Sequence, residues 1–237
     1  MLTVSVIVPA LNEAGGIARC LASVAGQPGL AETIVADGGS TDGTAEAARV
    51  ALPSATVLTT ARGRARQMNA GARASTGDVL LFLHADTRLP PDALGRVRAA
   101  LADGAVMGGC FQTRFELDDA PFGALGRGLM RLWQGRLWMR WHRFAFGDRA
   151  LFARRTTFEA VGGYPDQPMF EDLDLVRALR QRGRFAFVQA DVVTSARRFA
   201  RHGALRQQLR NLGLWLGWNA GVSGARLKRF YSDTDRG

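Results

Sequence analysis

Three features of the sequence predict an α/β fold, with a single mostly parallel sheet, helices on both faces and a helical C-terminal extension. Apolar runs rich in Val, Ile and Leu alternate with helical segments, the order that feeds parallel strands through right-handed crossovers. The chain has 237 residues, 47% hydrophobic and 22% charged, a balance that suits one globular domain and excludes disorder, coiled coil and collagen-like repeats. The residues that follow the strands are polar and acidic, as at the ligand-binding edge of such a sheet.

Taken in order, Val4 to Val8, Thr33 to Ala36, Thr56 to Leu58 and Val79 to Leu83 read as strands. Between them, Ile17 to Ala25, Thr44 to Ala51 and Arg64 to Ala74 read as helices long enough to cross over the sheet. Pro90 and Pro91 preset the first turn of another helix, which should end near Asp103 and Gly104. Ala105 to Phe115 supplies a further strand. The second half is less regular: an Arg- and Trp-rich stretch from Arg127 to Phe144, strand-like Ala150 to Arg154, a turn at Gly162 to Asp166, a helix over Asp172 to Arg182 and apolar Phe185 to Val188. A long helix from about Gly203 and a polar tail close the chain.

Charge and cysteine content narrow the partners. Against 21 Asp plus Glu stand 31 Lys plus Arg, a formal net charge of +10 that favours anionic ligands. Lys228 is the single lysine, so the excess is arginine, which in an alanine-rich chain also reflects composition. Cys20 and Cys110 form no CxxC pair, and a reducing, cytoplasmic setting is expected. The N-terminus has no charged region before its apolar stretch and reads as a strand, not a signal peptide. No apolar run is long enough to span a bilayer.

Ligands of a parallel sheet bind beyond the carboxyl ends of its strands. Strand one is followed by Pro9, Asn12 and Glu13, strand two by Asp37 through Thr44, and the strand at 79–83 by His84, Asp86 and Thr87. Each group alone could be a helix cap, a tight turn or a satisfied pair. Together they deliver carboxylates to one edge, which in a basic protein suits Mn²⁺ or Mg²⁺ bridging an anionic ligand. No GxxxxGK[ST] and no GxGxxG after the first strand occur, which weighs against ordinary ATPase and dinucleotide sites.

Pro9-x-x-Asn12-Glu13, Asp37-Gly38-Gly39-Ser40-Thr41-Asp42-Gly43-Thr44, Asn69-Ala70-Gly71, His84-Ala85-Asp86 and Glu171-Asp172, in this order, resemble the motifs of family 2 glycosyltransferases over about Leu2 to Gly183. Phe82 to Thr87, Phe146-Gly147-Asp148 and Gly162-Gly163-Tyr164-Pro165-Asp166 resemble a small bacterial subset with His-Ala-Asp in place of the usual Asp-x-Asp. The resemblance implies a Rossmann-like GT-A fold, a nucleotide-diphosphate sugar donor, a divalent metal and inversion at the anomeric carbon. No internal repeat and no linker-like shift in composition interrupts the chain, so one domain over 1–237 is expected: a nucleotide-sugar half (1–115), an acceptor and catalytic half (116–200), and a C-terminal helix and tail (201–237).

Carried over by position, the resemblance assigns Pro9, Asn12, Glu13, Asp37, Arg66, Asn69, His84 and Asp86 to the donor, with Asp86 as metal ligand. His84 stands where the family has its first Asp, and its contact could be to ribose, to metal or to a backbone carbonyl in the core. Asp172 resembles the family's general base, Glu171 is the alternative, and helix capping is the plainer role for both. Asp148, Gly163 and Tyr164 fall on the acceptor side. Arg62, Arg64 and Arg66 offer planar forks suited to a diphosphate. Arg197 and Arg198 lie where relatives fold a loop over the diphosphate, and Gln207-Gln208-x-Arg210 only approximates the family's Gln-x-x-Arg-Trp.

Trp133, Trp138 and Trp141 stand among arginines in the 127–144 stretch, a mixture that fits a lipid surface or simply core bulk. Gly213, Gly217 and Gly221 recur every fourth residue in the last helix, which permits close helix contact. The lipid-facing reading implies a hydrophobic or lipid-like acceptor and a protein at the inner face of the membrane. A sugar-phosphate nucleotidyltransferase would instead carry a Gly-rich basic loop after strand one, and a non-enzymatic nucleic-acid binder would not gather carboxylates where phosphates must sit. A glycoside hydrolase would need only two facing carboxylates, with no nucleotide or metal.

Overall fold

The computed structural model describes residues 1–117, 128, 149–197 and 203–233. Among them eight strands form one sheet in the order β3-β2-β1-β4-β7-β6-β8-β5. They are β1 (Val4–Ala10), β2 (Leu30–Asp37), β3 (Thr56–Thr59), β4 (Val79–Phe82), β5 (Thr87–Arg88), β6 (Val106–Glu116), β7 (Leu151–Arg154) and β8 (Arg184–Ser195). The helices are α1 (Ala14–Val24), α2 (Thr44–Ala51), α3 (Arg64–Ala74), α4 (Ala93–Ala100), α5 (Arg155–Ala160), α6 (Glu171–Arg182), α7 (Ala204–Asn219) and α8 (Gly224–Asp233).

The sheet is mixed. β1, β2, β3 and β4 pair in parallel, whereas β7 runs antiparallel to both β4 and β6, and β5 antiparallel to β8. The expectation of a mostly parallel sheet therefore holds for the βαβ half only. A strand read one at a time carries no direction, and past α4 no regular crossover helix constrains it.

Every residue of β1 is buried, as befits a central parallel strand covered on both faces. Alternation divides it: Val4, Val6, Val8 and Ala10 join α1 and α4 in one cluster, while Ile7 joins Ala65, Met68 and Ala72 of α3 and Leu175 and Leu179 of α6 in another. Fully burying a side chain such as Ile7 contributes about 1.5–3 kcal/mol. The α3 face follows a three- and four-residue step, and Gly71 lies on it because a Cβ there would stand 2.5 Å from Ile7 Cγ2.

Three local expectations change. α4 begins at Ala93, so Pro90 and Pro91 precede it, and Asp92 takes φ 54 at its start. α5 and β5 are too short for periodicity to reveal. The expected single C-terminal helix is two, α7 and α8. Gly221 at φ +82 makes the break, with Gly221 N–H donating to the Trp218 carbonyl (3.0 Å) and Val222 N–H to that of Gly217 (2.9 Å).

The described residues group into two compact units. The first comprises 1–113, 149–166 and 171–194 and holds the layers above. The second contains 114–117, 128, 167–170, 195–197 and 203–233. Within it Leu214 and Leu227 are buried, Leu227 Cδ2 lies 3.0 Å from where a Gly217 Cβ would stand, and the rings of Phe170 and Trp218 are 5.2 Å apart. Gly217 thus serves packing of α7 on α8, while nothing lies within 4 Å of a Cβ at Gly213.

Candidate active site

The carboxyl ends of β1 and β2 are joined by a mesh of short polar side chains. Pro9, which has no N–H to donate, falls past the last β1–β4 pair, Ile7 with Phe82, and stays in register with Ala36 of β2. Asn12, at φ 54, accepts from Thr41 N–H (2.9 Å), and its own N–H donates to Ser40 Oγ (2.9 Å). Asp37, 5% exposed at the end of β2, accepts from the Ser40 N–H (3.1 Å) and hydroxyl.

Asp42 caps two helices at once. Its Oδ2 accepts from Ala14 N–H at the start of α1 (3.0 Å), and its Oδ1 accepts from Thr44 N–H (3.0 Å) and hydroxyl at the start of α2. The Thr44 hydroxyl and the Ala14 amide hold this carboxyl below the ordinary range. Thr44 Oγ1 also accepts from Glu13 N–H (2.8 Å). The acidic run after strand two is therefore largely structural at Asp42, leaving Asp37 and Glu13 as donor-side candidates.

The β4 end comes up beside this mesh. A Cβ at Gly16 would stand 3.3 Å from the Ala85 carbonyl, 3.6 Å from Asp86 Cα and 3.7 Å from Glu13 Oε2. Burial pushes the Cys20 thiol well up, and the negative charges of Asp86 and then Glu13 push it further. Two carboxylates thus share one neighbourhood under α1. The His84 carbonyl accepts from Thr87 N–H (2.9 Å) and from the Cys20 thiol (3.4 Å). Asp86 and the His84 side chain are half-buried.

Whether this donor set suits a divalent ion can be judged from its chemistry. Among the described residues no group of three or more His, Cys, Asp or Glu converges as a metal cage. Mg²⁺ and Mn²⁺ need none when one or two carboxylates act with phosphate oxygens and water, and Asp86 with Glu13 nearby fits that pattern.

α3 carries the connections that sequence reading missed. Gln67, 4% exposed, donates from Nε2 to the carbonyls of Ala10 (2.7 Å) and Ala36 (2.9 Å), clamping the ends of β1 and β2. One turn earlier, Arg64 pairs through Nε with Glu171 Oε1. Arg66 forms a two-pronged pair with Asp166, Nε and Nη2 both reaching Oδ2 (2.9 and 2.8 Å). Asn69 bonds the Tyr164 backbone, Nδ2 to its carbonyl (2.8 Å) and Oδ1 from its N–H (3.0 Å). Arg66 and Asn69, expected on the donor side, are here tied to the turn before α6. The cue was present: Gly163-Tyr164-Pro165-Asp166 offers a carboxylate and open backbone groups, although nothing local says which helix they meet.

Tyr164 is 3% exposed, its ring edge-on to Phe82 with centroids 4.9 Å apart. Burial raises its hydroxyl well above the usual value, with Asp172 and Glu171 adding to the shift. Tyr164, expected on the acceptor side, belongs to the core cluster with Phe82, Phe158 and Leu175. Gly163, at φ +73, leaves 2.7 Å between a notional Cβ and Asn69 Oδ1. Asp148, Arg198 and the 127–144 stretch, Gly128 excepted, lie outside the described residues.

Glu171 and Asp172 open α6. Glu171 is 1% exposed, and its Oε2 has no hydrogen-bond partner among the described residues. Asp172 Oδ1 accepts from Leu173 N–H (2.9 Å). Both carboxylates sit in the first turn, where the helix dipole favours negative charge.

The sequence profile of glycosyl transferase family 2 matches residues 5–156. The chain belongs to that family. Its mixed α/β fold, one eight-stranded sheet with helices, matches that of GT-A glycosyltransferases. Solved GT-A structures resemble it, among them a mannosyltransferase, PcManGT from Pyrobaculum calidifontis, in complex with GDP-Man and Mn²⁺: TM-score 0.64, 24% identity, covering 85% of this chain and 61% of that one. Glucosyl-3-phosphoglycerate synthase from Mycobacterium tuberculosis, with Mn²⁺, UDP and glucosyl-3-phosphoglycerate, has TM-score 0.56 and 21% identity over 81% of this chain and 71% of its own. At these identities the likeness shows the fold. A PGL/p-HBAD biosynthesis glycosyltransferase of Mycobacterium bovis is 39% identical over 106 residues, 42% of this family 2 chain and 41% of the relative. The match thus spans about two-fifths of the curated relative's length. No helix among the described residues is long and apolar enough to cross a membrane.

Proposed function

We propose that the protein transfers a sugar from a nucleotide-diphosphate donor to an acceptor, inverting the anomeric carbon, with Mn²⁺ or Mg²⁺ present. The observation that carries this is the convergence of Asp37, Glu13 and Asp86 at the ends of three adjacent parallel strands, braced by α3 against the turn that leads to Asp172. Loops at Pro9–Glu13 and Asp37–Ser40 take the nucleoside, Asp37 accepting from a base N–H or ribose hydroxyl. Asp86, with Glu13, would hold the metal, whose charge would offset that of the departing diphosphate. Asp172 accepts the acceptor's proton as its oxygen bonds the anomeric carbon and the bond to the diphosphate breaks.

A hydrophobic or lipid-like acceptor is the finer reading, motivated by the Trp- and Arg-rich 127–144 stretch. A thermal-shift series of UDP, GDP, CDP and dTDP with Mn²⁺, followed by hydrolysis or transfer from the matching sugar nucleotide with and without EDTA, tests the core proposal. One nucleotide should stabilise the protein in Mn²⁺ and lose that effect in EDTA. No stabilisation and no donor turnover would overturn it.

A further inference from the structure

Five large apolar side chains are exposed among the described residues, and three of them lie on α7: Leu209 (61%), Leu212 (45%) and Leu216 (53%). Steps of three and four put them on one helical face. Gln207 and Leu214, about half a turn round the helix, are buried instead, so the leucines occupy the side that α7 turns away from its own packing. Gly213, beside them, has open space where a Cβ would stand.

The charge of α7 and α8 is mostly of one sign, Asp233 at the end of α8 excepted. From Ala204 to Ser232 the sequence contains Arg206, Arg210, Arg226, Lys228 and Arg229 and no acidic residue. Arg206, Arg226 and Lys228 are exposed. An apolar stripe on a predominantly basic helix pair is poorly suited to a second copy of itself, because two such surfaces repel at close range. It is suited to a layer that is apolar below and anionic above, where leucines enter the acyl boundary and arginines meet phosphates.

We propose that the Leu209–Leu212–Leu216 face of α7 docks on an anionic lipid bilayer, bringing the enzyme to membrane-borne material. This docking does not depend on the sugar-transfer reading and can be tested apart from it.

The test is co-sedimentation of the full chain with phosphatidylcholine vesicles, with and without phosphatidylglycerol, at low and high salt. The wild type should bind the anionic vesicles and be released by salt. The triple variant Leu209→Ser, Leu212→Ser, Leu216→Ser should bind at least about tenfold more weakly while melting like the wild type, because all three side chains are already exposed. Absence of wild-type binding, or equal binding by the variant, overturns the proposal. So does a loss of binding that follows Trp138→Ser with Trp141→Ser but not the leucines. A concentration-dependent dimer that the leucine variant dissolves would also overturn it, by making the face an interface between copies.

Discussion

Asn69 and Tyr164, 95 residues apart in the chain, exchange two hydrogen bonds, so α3 holds the backbone of the turn that precedes α6 as a neighbouring strand would. Gln67 on the same helix clamps the ends of β1 and β2. α3 is therefore the brace between the ends of β1 and β2 and the turn before the α6 carboxylates. Removing its side chains should affect both stability and alignment.

Asn69→Ala is expected to lower stability by about 1–3 kcal/mol, since it deletes both partners of the part-buried Tyr164 backbone. Turnover should fall more than nucleotide affinity, because the turn leads to Asp172 and not to β1. An unchanged melting temperature would contradict the brace.

Gln67→Leu keeps volume but removes donors to two strand-end carbonyls. We expect a loss of about 1–3 kcal/mol in chemical denaturation, accompanied by weaker nucleotide binding in calorimetry. Loss of stability with full affinity retained would show that the clamp serves the sheet alone.

Asp86→Ala should abolish metal-dependent nucleotide binding with little change in melting temperature, as the side chain is half-buried at a strand end. Titrating the nucleotide in Mn²⁺ and in EDTA checks this. Equal affinity in wild type and variant would remove Asp86 as the metal ligand.

Asp172→Asn keeps shape and capping but cannot take up the acceptor's proton, so turnover should drop by about 10²–10⁴-fold with donor affinity preserved. Glu171→Gln should instead cost stability by loosening the Arg64 pair while leaving measurable turnover. The reverse pattern would transfer the base role to Glu171.

Stability should also fall in acid through Glu32. Burial acts to raise its pKa, but hydrogen bonds from the Thr76 N–H, the Ser5 hydroxyl, the Thr76 hydroxyl and the Gly77 N–H outweigh it and hold the carboxyl below its ordinary value. With the folded value below the unfolded one, the contribution is complete above the unfolded pKa and is lost as pH falls through the folded value. Asp78, held low by the Thr3 amide and hydroxyl, acts in the same direction. In denaturation measured across the acid range, Glu32→Gln should flatten the decline, and a curve superposable on wild type would dismiss this cause.

Much of the architecture was legible in local pattern. The bounds expected for α2 and α3 coincide with the structure, β1 to β4 fall where β-branched and apolar runs place them, and the family motifs lie at the strand ends, within α3 and at the start of α6. Periodicity and turn chemistry are properties of neighbouring residues, so the chain alone expresses them. Partner choice is different. Arg64 meets Glu171 across 107 residues and Gln67 meets Ala10 across 57, and no spacing rule ties such groups before the sheet assembles. The antiparallel half of the sheet, the Asn69–Tyr164 exchange and the inward turn of the Tyr164 ring were settled by packing. Buried polar groups must find partners or lose their hydration uncompensated, and only the assembled layers determine which partners lie within reach.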